Sequence, residues 1–205
     1  MSLLERLHGE FSATRRVRVL GERIAARIPR GARVLEVGSG DGRLTAKLAE
    51  LRPDVELSGL DVLLRPASRF EVELFDGRTL PHAPESFDLV LFVDVLHHTE
   101  DPRTLLAEAR RVTKSRILIK DHALEGLAAG ATLRFMDRVG NERYGVALPY
   151  NYWPAQRWRE AFSALGLEVE SCERRLGLYP FPLNLAFERS LHFLALLRRD
   201  DRAPI

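Results

Sequence analysis

The sequence predicts an α/β fold on an open, doubly wound, mostly parallel sheet of seven strands, and three observations predict it. Short β-branched or leucine-rich runs alternate with helical patterns along the 205 residues, the order that joins parallel strands through crossover helices. The first run ends in a glycine-rich turn, VLEVGSGDGRL at residues 34–44. The last two runs follow one another with no helical pattern between them, only residues 174–190 with Pro180 and Pro182. That suits an antiparallel pair, with the last strand antiparallel at the end of the sheet.

Taken in order, the strands are expected at residues 33–37, 55–60, 70–75, 87–93, 116–120, 167–172 and 191–197. Leu44, Leu48 and Leu51 make one helical face. Leu105, Ala109 and Val112 make another, with Asp101 as its cap and Pro102 at the first helical position. A third uses Trp158, Phe162 and Leu165 and stops at Gly166. Before the first strand, residues 1–30 read as a helical segment, with Val17, Leu20, Ile24 and Ile28 on its apolar stripe. Arg16, Arg23, Arg27 and Arg30 stand opposite and read as a solvated face. From residue 121 to 154 the chain spends far more than the ~10–12 residues a crossover needs, which predicts a lid-like insertion, a helical cap over the sheet edge. Its run GVALPYNYWP, 145–154, concentrates Tyr150, Tyr152 and Trp153, read mainly as lid packing. The whole, 1–205, is read as one domain.

With 45% hydrophobic and 29% charged residues the chain is globular, not disordered. No apolar run approaches the ~18–20 residues of a membrane helix, and Glu5, Arg6 and Glu10 interrupt any signal-peptide pattern, so no membrane span and a cytoplasmic location are expected. The net charge of +2 is too small for a nucleic-acid footprint. A single cysteine, Cys172, excludes an intrachain disulfide and a cysteine metal cluster. The sequence leaves the oligomeric state open.

Gly38, Gly40 and Gly42 allow a sharp turn and expose backbone amides at the carboxyl end of the first strand, where open parallel sheets bind ligands. The spacing Gly-x-Gly-x-Gly is not the dinucleotide fingerprint, whose third glycine falls where this chain has Arg43. Glu36 and Asp41 would repel a diphosphate by about a kcal/mol or more at ~4–6 Å. A cationic nucleoside ligand is favoured instead, and S-adenosylmethionine meets the requirement. Asp61, ending the second strand, is placed to accept ribose hydroxyls, as it would be for either cofactor.

The runs VLEVGSGDG, GLDV, FDGRTLP and SFDLVLFVDVLHHTEDP, in that order across residues 32–120, resemble the class I S-adenosylmethionine-dependent methyltransferases, in particular the small-molecule, quinone-biosynthesis-like (methyltransferase type 11-like) branch. The resemblance implies a Rossmann-like methyltransferase fold with S-adenosyl-L-methionine as cofactor. It further implies that Glu36 orders the loop of Gly38, Ser39 and Gly40, that Asp61 with Val62 holds the ribose, that Asp76 with Gly77 meets the adenine, and that Val93 lines the methionine channel with its backbone. Asp76-Gly77 also makes a good turn and Val93 ordinary core.

Methyl transfer from a sulfonium rests on alignment and exclusion of water, and a base is needed only for a protonated acceptor. His98, after the fourth strand, and His122, after the fifth, are the catalytic candidates, with His97 and Asp121 beside them. Catechol-type methyltransferases hold magnesium after the same two strands. Here Asp94, Asp121 and His122 stand at those places, but His122 replaces their amide ligand and Asp94 is an acid common in the quinone-like branch without metal, so no metal is expected. The VDVL run replaces the Asn- or Asp-Pro-Pro-Tyr of amino-methylating DNA enzymes, which disfavours nucleic acid as substrate. The expected activity is methylation of a small, partly apolar molecule at oxygen or carbon. The alternatives are a non-catalytic S-adenosylmethionine-binding subunit and a nicotinamide-dependent oxidoreductase.

Overall fold

A computed structural model describes residues 3–141 and 148–200 of the protein. Seven strands form a single sheet: β1 (Arg33–Val37), β2 (Glu56–Asp61), β3 (Val72–Leu74), β4 (Phe87–Val93), β5 (Thr113–His122), β6 (Leu167–Glu173) and β7 (His192–Arg199). Their order is β3-β2-β1-β4-β5-β7-β6, with β7 alone antiparallel, between β5 and β6. Among the described residues six α-helices accompany them: α1 (Leu3–Ala25), α2 (Arg43–Leu51), α3 (Pro102–Val112), α4 (Ala129–Asn141), α5 (Ala155–Ala164) and the short α6 (Asn184–Phe187). None of the described helices is long and apolar enough to cross a membrane.

Alternation along the central strands sends side chains to two cores, one on each face of the sheet. Leu35, Val37, Val90 and Phe92 meet Leu105, Ala109, Trp158 and Phe162 of α3 and α5. Val34, Leu89 and Leu91 meet Leu20, Ile24, Leu44 and Leu48 of α1 and α2. Because chain order runs outward in both directions from β1 and β4, their carboxyl ends leave a crevice where the two directions part.

Six of the seven expected strands match within one or two residues, and β5 differs for a visible reason. β3 is an edge strand of three residues, with Phe70 and Phe75 flanking it. β5 is longer, because antiparallel β7 pairs Asp121 with Phe193 and His122 with His192. Those two residues therefore belong to the sheet and not to the lid. The helical pattern at the N-terminus is α1, which ends at Ala25 rather than 30; residues 1 and 2 of the expected segment lie outside the described residues, as do residues 145–147 of the aromatic run. Asp101 accepts from the Arg103 amide as the cap of α3, and Gly166 (φ +58) follows α5. Cys172 is exposed on β6.

The arginine face of α1 is not simply solvated. Arg23 donates to Glu173 at 2.6 Å, Arg27 also reaches Glu173, and Arg16 pairs with Asp94. Only Arg30 of the four is exposed in the expected way. Three arginines thus tie α1 to β6 and to the end of β4, a function that helical periodicity does not reveal.

Candidate active site

The turn after β1 has the backbone that its glycines predict. Gly38, Gly40 and Gly42 all have positive φ, at 79°, 60° and 70°. A Cβ on Gly42 would sit 2.7 Å from the Phe70 amide nitrogen, and one on Gly38 would strike Val95. Glycine is therefore required sterically as well as conformationally. The Gly40 amide donates to Asp61 Oδ2 at 2.8 Å, and the Leu63 amide to Oδ1 at 2.9 Å, so Asp61 couples the loop to the end of β2.

Above this turn lies a cleft of about 850 Å³, within the ~300–1,000 Å³ usual for small-ligand sites. Gly38, Gly40, Asp61, Val62, Asp76 and Gly77 line it, and His98 stands at its far wall. Glu36, Ser39 and Val93 do not. Glu36 is buried beneath the loop, taking a 2.5 Å hydrogen bond from Thr45 Oγ1, while Ser39 Oγ donates to the Glu36 carbonyl at 3.0 Å. Burial raises the Glu36 carboxyl to about 7 against the Thr45 bond that lowers it. Val93 packs toward the α1 and α2 core, and Asp94 and Val95 line the cleft in its place.

The cleft is acidic, but not through Glu36 and Asp41. Glu36 is enclosed, and Asp41 pairs with Arg43 at 2.9 Å. Asp61 and Asp76, held by backbone amides, supply its negative lining, whereas Asp94, Glu100 and Asp101 pair with Arg16 and Lys120, Arg78 and Arg103. The carriers of negative charge at the cleft wall are thus Asp61 and Asp76 rather than Glu36 and Asp41. Asp76 accepts from the Arg78 and Thr79 amides, both at 2.7 Å, and these bonds hold its carboxyl below the usual range, so it stays ionised and fixed. The turn role and a place at the cleft wall are both fulfilled by this one residue.

Beside the cleft the structure assembles a buried polar cluster from seven separate parts of the chain. Asp121, fully buried, accepts from His97 Nδ1 at 2.6 Å and from the amides of Leu96 at 3.0 Å and His122 at 2.7 Å. His97 Nε2 faces Asp137 Oδ2 at 3.2 Å, and Tyr152 donates to the same carboxylate at 2.5 Å. Burial disfavours the imidazolium, but Asp121 and then Asp137 outweigh it and hold His97 at about 9. The end of β4 adds Asp94, at a positive φ of 54°, paired with Arg16 and Lys120. Lys120 Nζ also lies 3.2 Å from His192 Nδ1.

His122 does not reach the cleft. It is buried, 3.5 Å from Asp94 Oδ1, and burial followed by Lys120 pushes its pKa well below the ordinary value, so it is neutral. Two sets in this cluster, Asp94 with His97 and His122, and His97 with His98 and Asp137, are close enough to hold a cation. The carboxylates of Asp94, Asp121 and Asp137 are nevertheless already matched by Arg16, Lys120 and the His97 imidazolium. Asp121, which the sequence groups with possible ligands, is spent on His97 and two amides. Arg16, Asp137 and His192 were not singled out for this site; nothing in their local patterns distinguishes them, since each meets the cluster only through packing of α1, α4 and β7.

A family model described as a methyltransferase domain matches residues 9–172. The chain belongs to this methyltransferase family. Its family and fold are those of the class I, S-adenosylmethionine-dependent methyltransferases. The methyltransferase is 31% identical over 131 residues to the O-methyltransferase rstn1 of Aspergillus nomiae, covering 57% of each chain. It is 28% identical over 172 residues to a 27-O-demethylrifamycin SV methyltransferase of Amycolatopsis mediterranei, covering 75% of this chain and 61% of that one. It thus spans less than two thirds of the length of either relative. Among solved structures, the 1,6-didemethyltoxoflavin-N1-methyltransferase of Burkholderia thailandensis, with its substrate and S-adenosylhomocysteine bound, superposes with a TM-score of 0.65 at 20% identity, over 91% of this chain and 79% of that one. That likeness establishes the shared fold.

Proposed function

We propose that the methyltransferase moves the methyl group of S-adenosylmethionine to oxygen or carbon of a small, partly apolar molecule. The observation that carries this reading is the acidic cleft over the Gly38–Gly40 turn, which continues without a break to His98 and Asp94. Bound there, the cofactor supplies an electrophilic methyl on a good leaving group. Gly38, Ser39 and Gly40 offer the close backbone that its methionine end needs. Asp61, with Val62, receives the ribose hydroxyls through lone pairs remaining beside the Gly40 and Leu63 bonds, and Asp76 with Gly77 meets the adenine. Glu36 orders the turn from below through Thr45, and Val93 sets the position of Asp94 and Val95.

On the acceptor side, His98 is the residue we assign to proton removal, because it stands at the cleft wall. His122, enclosed and neutral, acts as a positioning residue that backs Asp94 and forms part of the wall. Tyr150, Tyr152 and Trp153 cover the site from the cap; Trp153 is buried, its ring 4.9 Å from that of Trp158. The near-zero net charge supports a small-molecule acceptor over nucleic acid, and the lone cysteine suits a cytoplasmic protein.

Calorimetry with S-adenosylhomocysteine and, separately, NADH tests the cofactor assignment. A saturable isotherm with the first and none with the second is expected. The reverse pattern would overturn the reading. A methyl-acceptor screen with labelled cofactor then identifies the substrate and separates an enzyme from a silent cofactor-binding subunit.

A further inference from the structure

Helix α4 has two unlike faces. Its inner side carries Leu133, fully buried, and Asp137, which joins the polar cluster through His97 and Tyr152. Its outer side presents Phe135 and Val139, the latter 65% exposed, together with exposed Arg134 and Arg138. A globular surface helix ordinarily reverses this distribution, with its large apolar residues inward.

The outer face continues into the segment around α6. Arg189 donates to the Leu127 carbonyl and to Thr132 Oγ1, both at 2.9 Å, and the Phe135 and Phe187 rings stack with centroids 6.2 Å apart. Leu127 is 88% exposed and Phe181 78%, and Leu185 projects beside Arg175 and Arg189. The two segments, residues 127–141 and 175–190, contain only two acids, Asp137 and Glu188. Both are buried, and Glu188 accepts from the amides of Gly177, Leu178 and Tyr179. Four arginines and at least five large apolar side chains therefore meet solvent with no exposed carboxylate among them.

From this we infer that the outer face of α4 and the α6 segment dock on the surface of an anionic phospholipid bilayer. Apolar side chains that project singly suit insertion at the headgroup boundary, and arginines among them suit anionic headgroups. A second copy of the chain is disfavoured by charge. A two-fold self-contact would set this basic face against itself. Docked in this way, the cap would lie between the bilayer and the cleft, so an apolar acceptor could enter from the lipid. This delivery step rests on the function proposed above, whereas the docking stands on the surface alone.

Co-sedimentation of the full chain with vesicles tests the inference, using phosphatidylcholine alone and the same lipid with a third replaced by phosphatidylglycerol. About ten-fold stronger partition into the anionic vesicles is expected, declining as salt is raised. Joint replacement Arg138→Glu and Arg175→Glu should abolish that preference, and Leu127→Ser with Phe135→Ser should weaken binding about ten-fold. Adenosylhomocysteine affinity and thermal midpoint, read on the same variants, should stay unchanged. Equal or absent binding to both vesicles would overturn the inference, as would insensitivity to these substitutions. So would sedimentation velocity showing a dimer that Leu127→Ser with Phe135→Ser splits, since a second copy would then occupy the face. Failure of the unsubstituted chain to bind adenosylhomocysteine, with vesicle binding intact, would count against the proposed function and leave the docking supported.

Discussion

The two walls of the site are built by different means. The wall we assign to the cofactor is made by consecutive turns at the ends of β1, β2 and β3, within residues 36–77, and most of its contacts are backbone amides meeting nearby carboxylates. The wall we assign to the acceptor is made by side chains from α1, β4, the Leu96–His98 turn, β5, α4, the Tyr150–Trp153 stretch and β7, which converge on the buried carboxylates of Asp121 and Asp137 and the half-buried one of Asp94. A site of the first kind tolerates change in side chains that do not shape the loop. A site of the second kind fails together when one member is removed, because each buried charge depends on its partner.

The largest expected effect follows from that dependence. Replacement Asp121→Ala strands the His97 imidazolium and two buried amides, and should cost about 3–5 kcal/mol in a urea titration. A loss under 1 kcal/mol would mean that the acceptor wall is no more interdependent than the cofactor wall.

The cofactor wall carries its own electrostatic cost in Glu36. Its carboxyl titrates at about 7 when folded and at an ordinary 4.5 when unfolded, so the folded chain holds the extra proton between these values. Stability of the cofactor-free protein should therefore fall as pH rises from 4.5 to 7, by up to about 3 kcal/mol, through this group alone. Glu36→Gln should flatten that slope, and an unaltered slope would remove Glu36 as its source.

Across the cleft, His98→Ala should lower turnover on the order of 100-fold while leaving adenosylhomocysteine affinity as it was. If His98→Ala and His122→Ala are both without effect on rate, neither residue handles a proton and the acceptor wall only aligns. The smallest effect is reserved for Asp61→Asn, which keeps an acceptor for Gly40 and loses the charge. Adenosylhomocysteine should bind about ten-fold more weakly, with little change in stability.

What was legible follows the same division. The strand ends, the positive-φ glycines, the cap of α3 and the acidic character of the cleft were all readable, because each depends on a few adjacent residues. The carriers of that acidity were not. Glu36 and Asp41 were the natural choice from the motif, yet Thr45 encloses one and Arg43 pairs with the other. On the acceptor side the sequence nominated His98 and His122 alike, and only packing distinguishes them: His98 lines the cleft, while His122 is buried behind Asp94.

By itself, then, the sequence determined the doubly wound sheet, the positive-φ glycine turn at its carboxyl edge and the family with its S-adenosylmethionine cofactor. Periodicity and backbone conformation are local, and local rules suffice for them. The tertiary structure decided which acids line the cleft, which histidine is reachable and how the carboxylates of Asp94, Asp121 and Asp137 are paired with Arg16, Lys120 and His97. These depend on distance and on exclusion of water between residues far apart in the chain, and neither exists until the helices pack on the sheet.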